Sequence, residues 1–311
     1  MAEKRTLQHA PPALRLLGRV GRHVRWARSD GVARLVEEDN LNPRERVAAA
    51  IARRQWRKQH PRQPGTATAV LVVGVQRSGT NMVVRGLEQS PAFEVHNEND
   101  TKTFSRYLLR DDATVRAVVE RSRHRFVLLK PLCDAHRTPA LLEVLKTTEP
   151  ARALWVYRSA AGRASSAVAK FGDANLRILR DIAAGRAGGS WQAGGLSASN
   201  LELIQSFDYD TLDPLSAAAL FWYVRNSLFF DLRLDDRDDV LLVSYDRFVA
   251  APASTMGSIA AFLGVEADPS YSAHVAPRSP TDAAVEIEPR VRDLCDELAA
   301  KLDSVATAAR D

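Results

Sequence analysis

The residues best suited to chemistry lie first in Gly74-Val-Gln-Arg-Ser-Gly-Thr-Asn81, a glycine-bounded, hydroxyl-rich loop with an arginine inside it. Ser78, Thr80 and Asn81 offer side-chain donors, and Arg77 offers a permanent, fork-shaped charge that can pair with two oxygens at once. Such a set suits an anion. The nucleotide-triphosphate loop has the same glycine spacing but needs Lys and then Ser or Thr directly after the second glycine, where this chain has Thr80 and Asn81. The anion chain should therefore be shorter than a triphosphate, and no metal is demanded.

The elements that must hold these residues can be read from the flanking pattern. Val70 to Val73 form a short β-branched run suited to a strand covered on both faces, and a helix is expected from about Thr80 to Gln89. The first N–H groups of that helix lack intrahelical acceptors and would face the loop's ligand. A second apolar run, Ala153 to Tyr157, ends in Arg158 and leads into a helix carrying Ser166. Ligands of open parallel sheets bind beyond the carboxyl ends of the strands, so Arg158 and the Arg77 loop are expected to face one ligand, with Ser166 adding a hydroxyl.

These motifs resemble the sulfotransferases that use 3′-phosphoadenosine 5′-phosphosulfate (PAPS). The loop is similar to that family's 5′-phosphosulfate loop in its Arg-Ser-Gly-Thr form, found in Golgi-type and many bacterial members. Arg158 with Ser166 eight residues later resembles its 3′-phosphate site. Val240-Leu-Leu-Val-Ser-Tyr-Asp246 and Phe262-Leu-Gly264 resemble a later strand and helix end, so the likeness spans roughly residues 68–280. It implies a P-loop-like parallel sheet flanked by helices, PAPS as donor and its desulfonated form, PAP, as product. The donor would lie against Gln76, Arg77, Ser78, Gly79, Thr80, Asn81, Arg158 and Ser166. Asn81 departs from the hydroxyl residue usual at its place, exchanging one contact at the sulfonate end for an amide. Arg278 and Ser279 fall where family members close a loop over the nucleotide.

Sulfonate transfer to a hydroxyl needs a base, a cation for the leaving oxygen and in-line positioning. The tyrosylprotein branch of the family has a base glutamate at a position similar to Glu98, which stands 21 residues after Arg77. In an extended strand His96, Glu98 and Asp100 would all point the same way, so His96 and Asp100 compete for the role. The alternative reading of His96 is a hydrogen-bonded wall residue. Lys130, at the end of Phe126-Val-Leu-Leu, is placed to steady the leaving oxygen, with Arg77 beside it and Asp134 as an orienting group. The alternatives from other classes are a nucleotide phosphotransferase or hydrolase on a related loop and a non-catalytic PAP-binding protein.

The wider composition fits a soluble α/β enzyme. At 311 residues the chain can bury a substantial core. No apolar run approaches the ~20 residues that span a bilayer. Cys133 and Cys295 give no disulfide framework, which points to a reducing, cytoplasmic setting. Residues 1–64 hold 15 Lys/Arg against 6 Asp/Glu, leaving the remainder acidic within an overall charge of +5. We therefore divide the chain into a basic helical extension, 1–65, and a catalytic domain, 66–311. Leu16, Val20, Val24 and Ala27 share one helical face in the extension, and a second helix is expected over Pro43 to Lys58. The apolar stripe would pack on the catalytic domain or form a homodimer; peripheral contact with an anionic membrane and targeting are the other readings. Nucleic acid is not an expected partner. The glycine-dense segment Gly185 to Gly195, with Trp191 inside it, reads as a mobile acceptor lid or a connector, and Phe221, Trp222 and Tyr223 read as helix core.

Overall fold

The computed structural model describes residues 43–279 and 285–308. The expected amphipathic stripe through Leu16, Val20, Val24 and Ala27 lies outside the described residues. The chain divides into two units, Met1–Gln55 and Trp56–Asp311. A helix covers Pro43–Gln59, close to the expected Pro43 to Lys58.

Five strands form a parallel sheet: β1 (Thr68–Gly74), β2 (Phe93–His96), β5 (Phe126–Leu129), β6 (Arg152–Tyr157) and β7 (Val240–Ser244). Their order is β2-β5-β1-β6-β7. Two short strands, β3 (Phe104–Ser105) and β4 (Leu108–Leu109), make a separate antiparallel hairpin. Every residue of β1 is buried, as the uninterrupted apolar run requires of a strand covered on both faces.

Alternation along the strands feeds two cores. Leu71, Val73, Trp155 and Tyr157 face one layer, which also contains Phe221 and Trp222 from the helix Pro214–Asn226 and residues of the helix Pro289–Ala308. Val70, Val72, Leu154 and Val156 face the other, against the helices Thr80–Glu88 and Pro252–Leu263. The chain fills one side of β1 with β2 and β5, then the other with β6 and β7. The carboxyl end of β1 is thus where the winding reverses, the position at which such sheets bind ligands.

Candidate active site

The first half of the site grows from the end of β1. Gly74 has φ +128°, and a Cβ there would come within 2.2 Å of the Val156 carbonyl oxygen of β6, so the loop can leave the sheet here only without a side chain. Arg77 is held at φ +73°, a conformation unusual for a non-glycine residue and the kind of local strain that functional loops carry. Gly79 precedes the helix Thr80–Glu88 and provides no side-chain cap, which leaves the helix's first N–H groups without one. Ser78 is fully buried, yet its Oγ has no hydrogen-bond partner. An orphaned hydroxyl inside a helix-capped loop fits an incoming anion.

Ser166 and Arg163, both on the helix Ala160–Phe171, brace this loop. Arg77 Nε donates to Ser166 Oγ at 3.0 Å, so the two sequence-predicted halves of the donor site meet directly. Arg163, which the sequence reading passed over, is completely buried behind the loop. It donates to the Gln76 carbonyl at 3.2 Å, Asn175 Oδ1 at 3.0 Å and the Ala218 carbonyl at 2.8 Å, while its guanidinium lies 5.1 Å from the Phe221 ring centre. All of these partners are neutral. Burial, reinforced by the charge of Arg77, makes Arg163 a weaker base than a free guanidinium.

A tyrosine organises the remaining cations. The Arg158 guanidinium sits 4.5 Å from the Tyr245 ring centre, and Arg278 donates to the Tyr245 hydroxyl at 3.1 Å. Any Cβ on Gly79 would strike the same ring at 2.2 Å. Trp222 Nε1 holds the Arg158 carbonyl at 2.8 Å, and Asp246 accepts the Ser159 N–H at 2.7 Å. Arg158 Nε is itself buried with no hydrogen-bond partner. Ser279 is exposed, and residues 280–284 lie outside the described residues. Tyr245 stands just after β7, as Arg158 stands just after β6; that strand-end position was the available signal for it.

The second half of the site corrects one expectation. The chain is extended only to His96 and then turns, with the Asp100 N–H bonded to the Asn97 carbonyl at 2.7 Å, so Glu98 and Asp100 do not continue the strand. The turn sends the three candidates to different partners. His96 Nδ1 lies 2.5 Å from Asp100 Oδ2, and its Nε2 lies 3.5 Å from Glu94 Oε1. Glu94 also accepts from Ser122 at 2.6 Å. Glu98 turns instead toward Lys130, with Oε2 3.4 Å from Nζ, and Lys130 donates to Asn81 Oδ1 at 2.6 Å. Asn81 therefore links the carboxylate–ammonium pair to the anion loop.

Protonation follows these contacts. Burial raises the Glu98 pKa, and the opposing pull of Lys130 does not cancel it. Burial would lower that of His96, but its bonds to Glu94 and Asp100 outweigh burial and leave it raised. Glu94 falls to about 2, held down first by His96. Asp134 does not reach the pair: its carboxylate accepts the Leu109 N–H at 2.8 Å and faces Arg137 at 3.5 Å. Cys133 is buried and its thiol is pushed up to about 12, which fits a packed hydrophobe.

Comparison with known proteins adds the family. A family profile described as "Sulfotransferase domain" matches residues 67–279. Among solved structures, a sulfotransferase from Alicyclobacillus acidocaldarius is 19% identical, over 80% of this chain and 100% of that one, with a TM-score of 0.44. The sulfotransferase domain of the Synechococcus PCC 7002 olefin synthase is 15% identical, over 81% and 98%, with a TM-score of 0.38. Mouse sulfotransferase SULT7A1 complexed with PAP is 12% identical, over 78% and 87%, also at 0.38. No curated protein matches the chain significantly.

Proposed function

The chain belongs to the sulfotransferase domain family, and on that footing we propose that it moves the sulfonate group of PAPS to the hydroxyl of an acceptor, with PAP as the second product. The observation that carries this reading is the continuous line from the Arg77 loop through Asn81 and Lys130 to Glu98, with unpartnered polar atoms at Ser78 and Arg158 on its anion side.

In this reading PAPS supplies an activated sulfonate, and the residues of the chain divide the work. Arg77, Ser78, Gly79 and the first turn of the helix Thr80–Glu88 hold the phosphosulfate end; Arg158, Ser166 and Arg278 hold the far phosphate. Glu98 takes the acceptor's hydroxyl proton as that oxygen bonds to sulfur. Its raised pKa makes it a stronger base than a free carboxylate. Lys130 faces the negative charge that develops on the 5′-phosphate oxygen as the sulfur–oxygen bond breaks. His96, already engaged by two carboxylates, orients the Asn97–Asp100 turn on which Glu98 sits.

Calorimetric titration with PAP and PAPS tests the donor assignment, and radiolabelled sulfonate transfer tests the reaction. Absence of binding by either nucleotide at high micromolar concentration would sink it, as would magnesium-dependent ATP turnover in place of sulfonate transfer.

A further inference from the structure

Arg278 reaches Tyr245 from a segment that has no helix or strand of its own between Tyr271 and Ser279. Such a segment presents a side chain at a fixed point only where its neighbours hold it. Three contacts do so. At its start, the 3-10 turn Pro269–Tyr271 crosses the helix Thr80–Glu88 at Gly86, where a Cβ would come within 2.4 Å of the Tyr271 carbonyl oxygen. At its end, the Arg278 N–H donates to the Val249 carbonyl at 2.9 Å, on the short helix Tyr245–Ala250 that also carries Tyr245. Midway, His274 Nε2 donates to the Met82 carbonyl at 3.0 Å.

The midway contact joins the two ends of the donor site. Met82 is the third residue of the helix Thr80–Glu88 and directly follows Asn81, which holds the Lys130 ammonium. The His274 and Lys130 contacts therefore fall on adjacent residues of the helical turn that opens from the anion loop. Gly86 makes the approach possible: a Cβ there would also meet Met256 Cε at 3.0 Å and His274 Cε1 at 3.3 Å. Because a carbonyl only accepts, the neutral ring carries its proton on Nε2, and Nδ1 is buried without a hydrogen-bond partner. Burial favours that neutral ring and Arg85 of the same helix adds to it, while the bond to Met82 pulls the other way without prevailing. The helix Pro252–Leu263, which brings Met256 to this place, carries no ionisable side chain. A second proton, on Nδ1, would be buried with no acceptor.

Resting on the sulfotransferase reading above, we propose that His274 is a positioning residue for the donor: it ties the segment that presents Arg278 to the first turn of the anion-loop helix, and so fixes the spacing between the groups that hold the two ends of PAPS. It acts through Arg278 and not on the reacting atoms. Its loss should therefore appear in nucleotide affinity and not in turnover, and acid should weaken the tie as the ring gains its second proton.

The experiment measures PAP dissociation constants by calorimetry for wild type, His274→Ala, His274→Gln, Arg278→Ala and the His274→Ala, Arg278→Ala double variant. His274→Ala should raise the constant about fivefold to tenfold, the scale of one neutral hydrogen bond, and leave kcat at saturating PAPS within about twofold. His274→Gln keeps an N–H for the Met82 carbonyl and should restore affinity to within about twofold at about pH 7.5. In the Arg278→Ala background, His274→Ala should add less than about twofold, because the group it positions is already gone. The ratio of wild-type to His274→Gln constants should rise about threefold between about pH 7.5 and about pH 5.5, since the amide has no proton to gain. Unchanged affinity in His274→Ala, additive effects in the double variant or a flat ratio overturns the proposal. Nitrogen NMR of the imidazole tests the tie without nucleotide: a neutral ring protonated on Nδ1, or one titrating at or above the ordinary imidazole value, also overturns it. Absence of PAP binding by every form sinks the donor assignment and this inference with it, whereas intact PAP binding with any of the adverse results above overturns this inference alone.

Discussion

The two flanks of the sheet's carboxyl edge are built on opposite electrostatic plans. On the β1, β6 and β7 flank, Arg158 and Arg278 meet at Tyr245, Arg77 meets Ser166, and Arg163 stands behind the loop with hydrogen-bond acceptors that are all neutral. On the β2 and β5 flank, Glu98 faces Lys130, and Glu94 and Asp100 face His96, so Lys130 and His96 each have an acid beside them. A cation-rich flank gains most when a multiply charged anion arrives; a paired flank is already balanced and can move a proton without a large change in field. Substitutions on the paired flank should therefore alter turnover, and substitutions on the other should alter nucleotide affinity.

The sharpest break should come from Glu98→Gln. Removing the base is expected to lower kcat by about 10²–10⁴-fold while PAP affinity by calorimetry stays within about twofold. A variant that keeps its turnover would assign the base elsewhere.

Lys130→Met should follow at about 10²–10³-fold in kcat, with a signature in pH. As the proposed base Glu98 must be ionised to act, so kcat/KM is expected to rise with pH through its raised pKa. Lys130 is the group that pulls that pKa down. Its removal should move the acidic limb of the pH–rate profile to higher pH; a limb that stays put or moves to lower pH would uncouple the pair.

On the cation-rich flank, Arg163→Met is expected to raise the PAP dissociation constant about tenfold and change kcat little once nucleotide is saturating. The arginine is buried behind the loop and holds the Gln76 carbonyl, so its loss should loosen the loop without removing a reacting group. A large fall in kcat at saturation would place it with the other flank.

The smallest effect on turnover, and a distinct one on stability, belongs to His96→Gln. It should destabilise the fold by about 1–3 kcal/mol and leave kcat within about threefold. Glu94, depressed to about 2, stabilises above the ordinary carboxylate range and loses that contribution as pH falls toward its folded value. The raised His96 contributes fully below the ordinary imidazole value and loses it as pH rises through its own. The difference in melting temperature between wild type and variant should thus peak at about pH 5–6.

Legibility in the sequence followed the range of the interaction. Strands β1, β5 and β6 could be placed because uninterrupted apolar runs report a strand buried on both faces from local composition, whereas β7 was read from the family resemblance. The β3–β4 hairpin could not: its turn uses Arg106 and Tyr107 at φ +53° and +71°, where the usual signal is glycine or asparagine. The turn at Asn97–Asp100 was missed although Asn97, Asn99 and Asp100 are turn-forming residues. It decides which acid meets which base.

By itself the sequence determined the form of the loop at the end of β1, since two glycines, an arginine and a helix start are contiguous and their geometry is local. It also determined the parallel sheet and, through the absent lysine, which chemistry the loop did not match. Tertiary structure alone decided the partners. Arg77 meets Ser166, Lys130 meets both Asn81 and Glu98, and Tyr245 gathers Arg158 and Arg278 because strands distant in sequence lie side by side. The burial of Arg163 has the same origin: charge and exposure depend on what packs against a residue, and no local pattern encodes that.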